Sequence, residues 1–186
     1  MLTSVIVYIV IIVDQLTKWW ADRKLQYIVN ADGEVGKIDL IEGVLSFDHA
    51  LNPGMAWGML KDHRWVFLLL TSLIIFAILA FLIYTKNTKK HPFFITSLGL
   101  ILGGGISNMI DRVFFGDVLF GGSVIDFISF ELIDFPIFNV ADSCVCIGEA
   151  LLIIYVLFID PRIRNKDLFT FTEKNKNAEH GSDEEK

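Results

Sequence analysis

The chain has 186 residues, and 53% of them are hydrophobic, a larger share than ordinary soluble domains contain. The formal net charge is −6, but much of the charge lies in segment 173–186, so the total says little about binding partners. The sequence contains no basic stripe with interleaved aromatic residues, which excludes the usual surface for binding nucleic acid. The composition therefore predicts an integral membrane protein.

The first predicted span covers residues 2–20 and contains two charged residues, Asp14 and Lys18. Because these residues are four apart, they lie on one helix face and can pair. No small-residue cleavage site follows the apolar run, so the segment is interpreted as a retained helix and not as a removed signal peptide. In the link that follows, residues 35–60 are predicted to form a small β region, because residues 37–47 alternate between apolar and polar.

The second predicted span, residues 65–84, is uncharged and is flanked by aromatic residues, as interface anchors often are. The third span covers residues 92–110. Within it, Gly99, Gly103 and Ser107 recur every four residues. Small residues at this spacing form a ridge for close helix contact, so they are interpreted as packing residues.

The fourth predicted span covers residues 139–159 and contains Asp142 and Glu149. Asn139 and Asp142 form an N-x-x-D pattern, which resembles a capping box at a helix start. Glu149 either extends a polar site around Asp142 or forms a hydrogen bond to a neighbouring helix. Segment 166–186 is polar and lacks periodicity, so it is predicted to be a disordered tail.

The orientation of the spans follows from lysine and arginine in the short loops. Link 86–91 holds three lysines, whereas link 113–138 has no lysine or arginine. Four spans place both termini on one side, so the termini and link 86–91 are predicted to be cytoplasmic. The two long links then face outward, and residues 1–165 form one membrane domain.

In this orientation, polar residues from distant parts of the chain fall at the outer membrane–water boundary. They are Asp14, Lys18, Asn52, Asn108, Asp111, Arg112, Asp126, Asn139 and Asp142. Ionisable residues at such depth are costly and usually face a bundle interior or a cavity. Three structural alternatives stay open: an interfacial ion pair in the first span, a charged pair that ends the third, and a capping box in the fourth.

Paired carboxylates are the chemistry that these residues best support. The four histidines are scattered, which excludes the H-E-x-x-H metal motif, and no histidine lies within a span to serve a serine nucleophile. Two aspartates that share a site cannot both ionise easily, so one can act as base on a water while the other donates a proton. The alternative function is a channel or a proton-coupled transporter that uses Asp14, Asp142 and Glu149. Against it, the polar groups cluster at one face of the membrane, and inverted repeats are absent.

Five segments, in order, resemble the motifs of lipoprotein signal peptidases (signal peptidase II), which are bacterial aspartyl peptidases of the cytoplasmic membrane. These segments are DQLTK at 14–18, NPGMAWG at 52–58, GGGISNMIDR at 103–112, VIDFI at 124–128 and FPIFNVADS at 135–143. Any one of them alone is a weak signal, but their order and common depth make the resemblance specific.

The resemblance implies a helical membrane fold of four transmembrane helices with a small extracytoplasmic β-cradle and a short loop helix. It implies an endopeptidase that cuts lipid-modified prolipoproteins before the lipidated cysteine, in contact with membrane lipids, without a metal, a cofactor or an obligate protein partner. By motif, Asp126 and Asp142 are the catalytic pair. Substrate-binding or site-orienting roles fall to Asn52, Gly54, Asn108, Arg112 and Asn139, and structural support to Asp14 and Lys18.

This sequence departs from the family pattern at two places. The link after Arg112 is longer than usual and rich in glycine, and its Asp117 mimics part of the aspartate motif. Asp126 is preferred as the catalytic residue because Asp117 lacks the Asp-Phe pair that should follow. In addition, Ser107 stands where the family usually has glycine.

Overall fold

The computed structural model describes residues 2–30, 33–53, 64–84, 91–116, 122–133 and 135–159. Within these ranges the chain forms four long helices and one three-stranded sheet. The helices are α1 (Leu2–Arg23), α2 (Arg64–Tyr84), α3 (Pro92–Phe114) and α4 (Val140–Ile154), and α4 continues into a π-helical turn, Tyr155–Ile159. Gly54, Asp117, the boundary at residue 165 and the predicted tail lie outside the described residues.

Three described helices are long and apolar enough to cross a membrane. They are Leu2–Tyr27, Pro92–Phe114 and Val140–Ile159, whereas the apolar part of α2, Leu68–Tyr84, is shorter. The membrane class is therefore confirmed, and the second predicted span, residues 65–84, stays a prediction. Two helices are longer than predicted. Helix α1 continues to Arg23, and α3 continues to Phe114.

The sheet contains the predicted strands and one that the sequence pattern did not reveal. Strands β1 (Lys37–Ile41) and β2 (Leu45–Asn52) fall within the predicted β region, while β3 (Val124–Phe130) comes from the link between α3 and α4. The strands are antiparallel in the order β1-β2-β3. This pairing places Asn52 of β2 opposite Val124 of β3. A short 3-10 helix, Leu25–Tyr27, lies between α1 and the sheet.

An apolar cluster attaches the sheet to the end of α1. Ala21 and Leu25 pack with Ile125 and Phe127 of β3. The Trp20 ring makes an edge contact with Phe127 at 6.3 Å between centroids. Strand β3 is consequently held beside the last turns of α1, and this places Asp126 near the polar ends of the helices.

Small residues let the helices approach closely. A Cβ at Gly103 of α3 would lie 2.7 Å from Cβ of Val10 in α1, and one at Gly104 would lie 2.7 Å from a methyl group of Val145 in α4. Such distances are too short for carbon atoms in contact, so glycine is required at both positions. Helix α3 therefore packs between α1 and α4 and presents its side chains to both.

Candidate active site

The polar residues that were predicted to lie at one depth of the membrane are close together in the part of the chain that the structure describes. Helix α1 contributes Asp14 and Lys18, α3 contributes Asn108, Asp111 and Arg112, the strands contribute Asn52 and Asp126, and the start of α4 contributes Asn139 and Asp142. Most of these side chains are buried.

Asp126 is held by two side-chain amides. Nδ2 of Asn52 donates to its Oδ2 at 2.9 Å, and Nδ2 of Asn139 donates to its Oδ1 at 2.6 Å. Burial, together with the negative charge of Asp142, raises the pKa of the Asp126 carboxyl to about 6, although the two amides and Lys18 act in the opposite direction. Asp126 therefore keeps a proton at pH values at which an ordinary aspartate has lost it.

Asp142 lies in the first turn of α4 and is also held at both oxygens. Its Oδ1 accepts from Nδ2 of Asn108 at 2.7 Å, and its Oδ2 accepts from the backbone N–H of Asn139 at 3.2 Å. In return, the backbone N–H of Asp142 donates to Oδ1 of Asn139 at 2.9 Å. The predicted capping box is thus confirmed. It leaves the side-chain amide of Asn139 free to bind Asp126, so one residue caps the helix and also contacts the second aspartate.

Two asparagines connect the aspartates. Nδ2 of Asn139, which binds Asp126, also lies 3.3 Å from Oδ1 of Asn108, whose own amide binds Asp142. The two carboxylates are therefore joined through a pair of amides from α3 and the N-terminus of α4. This bridge adds to the contact that Asn139 makes with the backbone N–H of Asp142, and together they fix the relative positions of the two aspartates.

Lys18 determines which way the Asn108 amide points. Its Nζ lies 2.7 Å from Oδ1 of Asn108 and 2.6 Å from a carboxylate oxygen of each of Asp14 and Asp111. An ammonium group can only donate hydrogen bonds, so the oxygen of Asn108 must face Lys18. The NH₂ group then faces Asp142. The predicted pairing of Asp14 with Lys18 is confirmed, and because both side chains are buried, the pair is not an exposed interfacial anchor.

Asp14 ties α4 to the other two helices. Its Oδ1 accepts from the backbone N–H of Ala141 at 2.8 Å, and its Oδ2 accepts from Oγ of Ser107 at 2.7 Å. A carboxylate at a helix N-terminus satisfies free backbone donors and complements the helix dipole. Asp14 therefore stabilises the turn that carries Asp142.

From the sequence, one residue of this network was missed, one was misread and the role of a third was left open. Nε2 of Gln15 donates to Oδ1 of Asp111 at 2.7 Å and to Oγ of Ser107 at 3.1 Å. Ser107 thus forms polar contacts as well as packing, which corrects its interpretation as a packing residue. Asp111 is buried and paired with Lys18, so it does more than end a span. The available signal was the presence of polar residues inside an apolar helix.

Arg112 is buried on the same helix. Its Nη1 donates to the backbone oxygen of Asn108 at 3.1 Å, and its charge interacts with the carboxylates of Asp142, Asp126 and Asp111. This placement gives the site a positive charge next to the aspartate pair. Across the ranges that the structure describes, no group of three or more His, Cys, Asp or Glu residues is arranged to hold a metal ion.

Two carboxyl groups joined through two amides, beside helices that are apolar enough to cross a membrane, are the arrangement that a membrane-embedded aspartic peptidase requires. The family model described as signal peptidase (SPase) II matches residues 6–158. The chain belongs to the signal peptidase II family.

The alignments with similar proteins cover more than four fifths of this chain. The lipoprotein signal peptidase of Symbiobacterium thermophilum is 35% identical over 162 residues, which cover 86% of this chain and 97% of the relative. That of Listeria monocytogenes is 40% identical over 156 residues, covering 82% and 90% respectively. A solved bacterial membrane enzyme superposes with a TM-score of 0.68 at 31% identity, covering 83% of this chain and 87% of its own. The resemblance seen in the motifs is confirmed, and the transporter alternative is not supported.

Proposed function

We propose that this peptidase removes signal peptides from lipid-modified prolipoproteins, and that Asp126 and Asp142 are its catalytic pair. The observation that carries the proposal is the bridge of Asn108 and Asn139 between the two carboxylates. The names of the relatives support the substrate class, since each is a lipoprotein signal peptidase.

In the proposed reaction, Asp142 takes a proton from a water molecule that attacks the scissile carbonyl carbon. Asp126 donates its proton to the carbonyl oxygen. The tetrahedral intermediate then collapses as Asp142 passes its proton to the leaving nitrogen and Asp126 takes back the proton of one hydroxyl group, which restores both residues. The raised pKa of Asp126 suits it to the role of acid. Asp142 suits the role of base because it accepts two hydrogen bonds at a helix N-terminus, where negative charge is favoured.

The surrounding residues hold the substrate or orient the pair in this proposal. Asn108 and Asn139 orient the aspartates, Asn52 supports Asp126, and Arg112 supplies donors for backbone carbonyls of an extended substrate. Gly54 belongs to the same proposed set through its motif. Asp14 and Lys18 act as structural support. No metal or cofactor takes part in this scheme.

The first prediction tests the substrate. Purified protein in detergent should cleave a peptide that carries a diacylglyceryl-modified cysteine, at the bond before that cysteine, because the active site lies against the apolar helices. The same peptide without the lipid should be a much poorer substrate. Product masses measure the position of cleavage. Cleavage at another bond, or equal cleavage of both peptides, would contradict the proposed specificity.

The second prediction concerns pH. Since Asp126 must hold a proton to act as acid, cleavage should decline as pH rises through about 6, the pKa of that carboxyl. The Asn52 amide stabilises the ionised form, so Asn52→Leu should raise the pKa further and move the decline to higher pH. The midpoint of kcat/KM against pH measures the effect, because kcat/KM reports the ionisation of the free enzyme. A midpoint that stays in place or moves down would remove Asn52 from this role.

We further propose that the protein lies in the bacterial cytoplasmic membrane, with four spans in a single domain of residues 1–165. Both termini are cytoplasmic in this proposal, and the active site faces outward. The distribution of lysine between links 86–91 and 113–138 supports this orientation.

The third prediction tests the orientation. A reporter fused after Lys90 should read as cytoplasmic, and one inserted within residues 116–123 should read as external, because only the first of these links is rich in lysine. Alkaline phosphatase and a fluorescent protein, which are active on opposite sides, provide matched readouts. The reverse pattern would place the aspartates on the cytoplasmic side.

A further inference from the structure

Glu149 is a carboxylic acid in the middle of an apolar helix. It is the tenth residue of the 20-residue apolar segment Val140–Ile159, so it lies roughly 15 Å from either end at the α-helical rise of about 1.5 Å per residue. Its side chain is exposed in the structure. Within the described ranges, no hydrogen bond or ion pair engages its carboxyl group. The active-site network described above does not include it.

The faces of α4 show where Glu149 points. Ala141, Val145 and Gly148 face α3, since Cβ atoms built at Gly104 and Gly148 meet the other helix there. Asp142 and Glu149 are seven residues apart, which places them on nearly the same face of a helix with 3.6 residues per turn. That face lies about 100° around the helix from the centre of the α3 contact, so only Asp142 at its start reaches α3, and Glu149 lies about 10 Å from Asp142 along the axis.

This face forms a continuous strip from the active site into the bilayer. It consists of Asp142, Cys146, Glu149 and Ile153, and we call it the Asp142 strip. Its last three members are exposed, and Asp142 itself is partly accessible. Any segment that leaves the catalytic aspartates towards the middle of the membrane along α4 therefore passes Glu149.

Lipid acyl chains cannot form hydrogen bonds with this carboxyl group. A polar group in hydrocarbon without a hydrogen-bond partner is costly, whether it is charged or neutral. Acyl chains offer no donor, but the apolar segment of a signal peptide can offer one if it contains a serine or threonine hydroxyl. Under the proposed function, the substrate segment before the cleaved bond lies in the membrane, and the end of this segment at the cleaved bond lies beside Asp142.

We propose that the Asp142 strip binds the apolar segment of the signal peptide and that Glu149 is a specificity residue within it. Glu149 accepts a hydrogen bond from a hydroxyl side chain of the substrate at the same depth. This inference rests on the proposed function, because it requires a substrate that is cut at Asp142. A helical substrate would place the hydroxyl about seven residues before the cleaved bond, and an extended one about three.

The test uses lipidated precursors with an all-leucine apolar segment and one serine at each position from three to eight residues before the cut. Wild-type protein should cleave one or two adjacent serine positions about three- to tenfold faster in kcat/KM than the all-leucine precursor, as expected for one hydrogen bond within a membrane. Glu149→Leu should abolish this preference, so that the serine precursors and the all-leucine precursor are cleaved at the same rate. Glu149→Gln keeps an acceptor and should retain the preference. Ile147→Ala, an exposed position off the strip, should behave as wild type.

The outcomes separate this inference from the proposed function. If wild-type protein cleaves every precursor equally, or if Glu149→Leu keeps the serine preference, the specificity role is wrong while the peptidase function stands. If Glu149→Leu slows all precursors by the same factor, Glu149 supports the fold and does not select substrates. If wild-type protein cleaves none of the lipidated precursors, the proposed function itself fails.

Discussion

Asp126→Asn and Asp142→Asn should each lower the rate at which a lipidated precursor is cleaved by at least about a thousandfold, because removing one member of a catalytic unit disables the unit. Asparagine preserves the size of the side chain and much of its hydrogen bonding, including the contacts with Asn108 and Asn139. Asp126→Asn removes the acid that protonates the carbonyl oxygen, and Asp142→Asn removes the base that activates the water. Initial cleavage rates with a fixed amount of inserted protein measure the loss.

The double variant and Asp117 serve as controls for this prediction. Asp126→Asn combined with Asp142→Asn should cost little more than either change alone, because both act on one unit. Asp117→Asn should remain active. If Asp126→Asn cleaved normally while Asp117→Asn was inactive, the assignment across the lengthened link would be wrong. If both single variants processed the precursor at the normal rate, the aspartyl mechanism would have to be abandoned.

Lys18→Met should destabilise the protein strongly and also remove its activity. The Lys18 ammonium is buried between Asp14 and Asp111, and removing one partner from a buried charged group costs about 3–5 kcal/mol. Without the ammonium, nothing forces the oxygen of Asn108 away from Asp142, so the bridge between the aspartates loses its defined direction. Thermal unfolding in detergent and the cleavage rate measure the two effects.

Lys37 provides a matched control for Lys18. It also contacts three acidic residues, Glu34, Asp39 and Glu131, but these pairs lie at the protein surface, where ion pairs contribute little. Lys37→Met should therefore leave the unfolding temperature and the cleavage rate nearly unchanged.

A second variant distinguishes charge from packing. Adding Asp111→Asn to Lys18→Met removes one of the two isolated carboxylates and should recover part of the lost stability. If Lys18→Met lost no more stability and no more activity than Lys37→Met, the buried Lys18 ammonium would support neither the fold nor the cleavage reaction.

Local spacing alone predicted several features of the site. Asp14 and Lys18 pair because residues four apart share a helix face, and Asn139 and Asp142 form a capping box because that motif closes within one turn. Hydrophobic length identified the membrane helices, since a bilayer requires about 20 apolar residues. These properties depend on neighbours along the chain and not on how the helices pack.

The contacts between elements required the tertiary structure. Strand β3 forms only because β2 offers a partner about 74 residues earlier in the chain, and no pattern in residues 124–130 alone reveals that pairing. The link from Gln15 to Asp111 joins α1 to α3 across 96 positions. The spacing of residues within α1 or within α3 does not predict this contact.

The sequence by itself thus determined the membrane class and the family, and it singled out Asp126 and Asp142 as the proposed catalytic pair. Only the tertiary structure decided how the aspartates are joined. Gly104 brings α4 against α3, and one turn further along α3 this close approach lets the Asn108 amide reach Asp142. The direction of that amide is set by Lys18 from a third helix, because an ammonium group can face only the oxygen. Such an arrangement depends on the rotation and separation of three packed helices, which the periodicity of one helix does not encode.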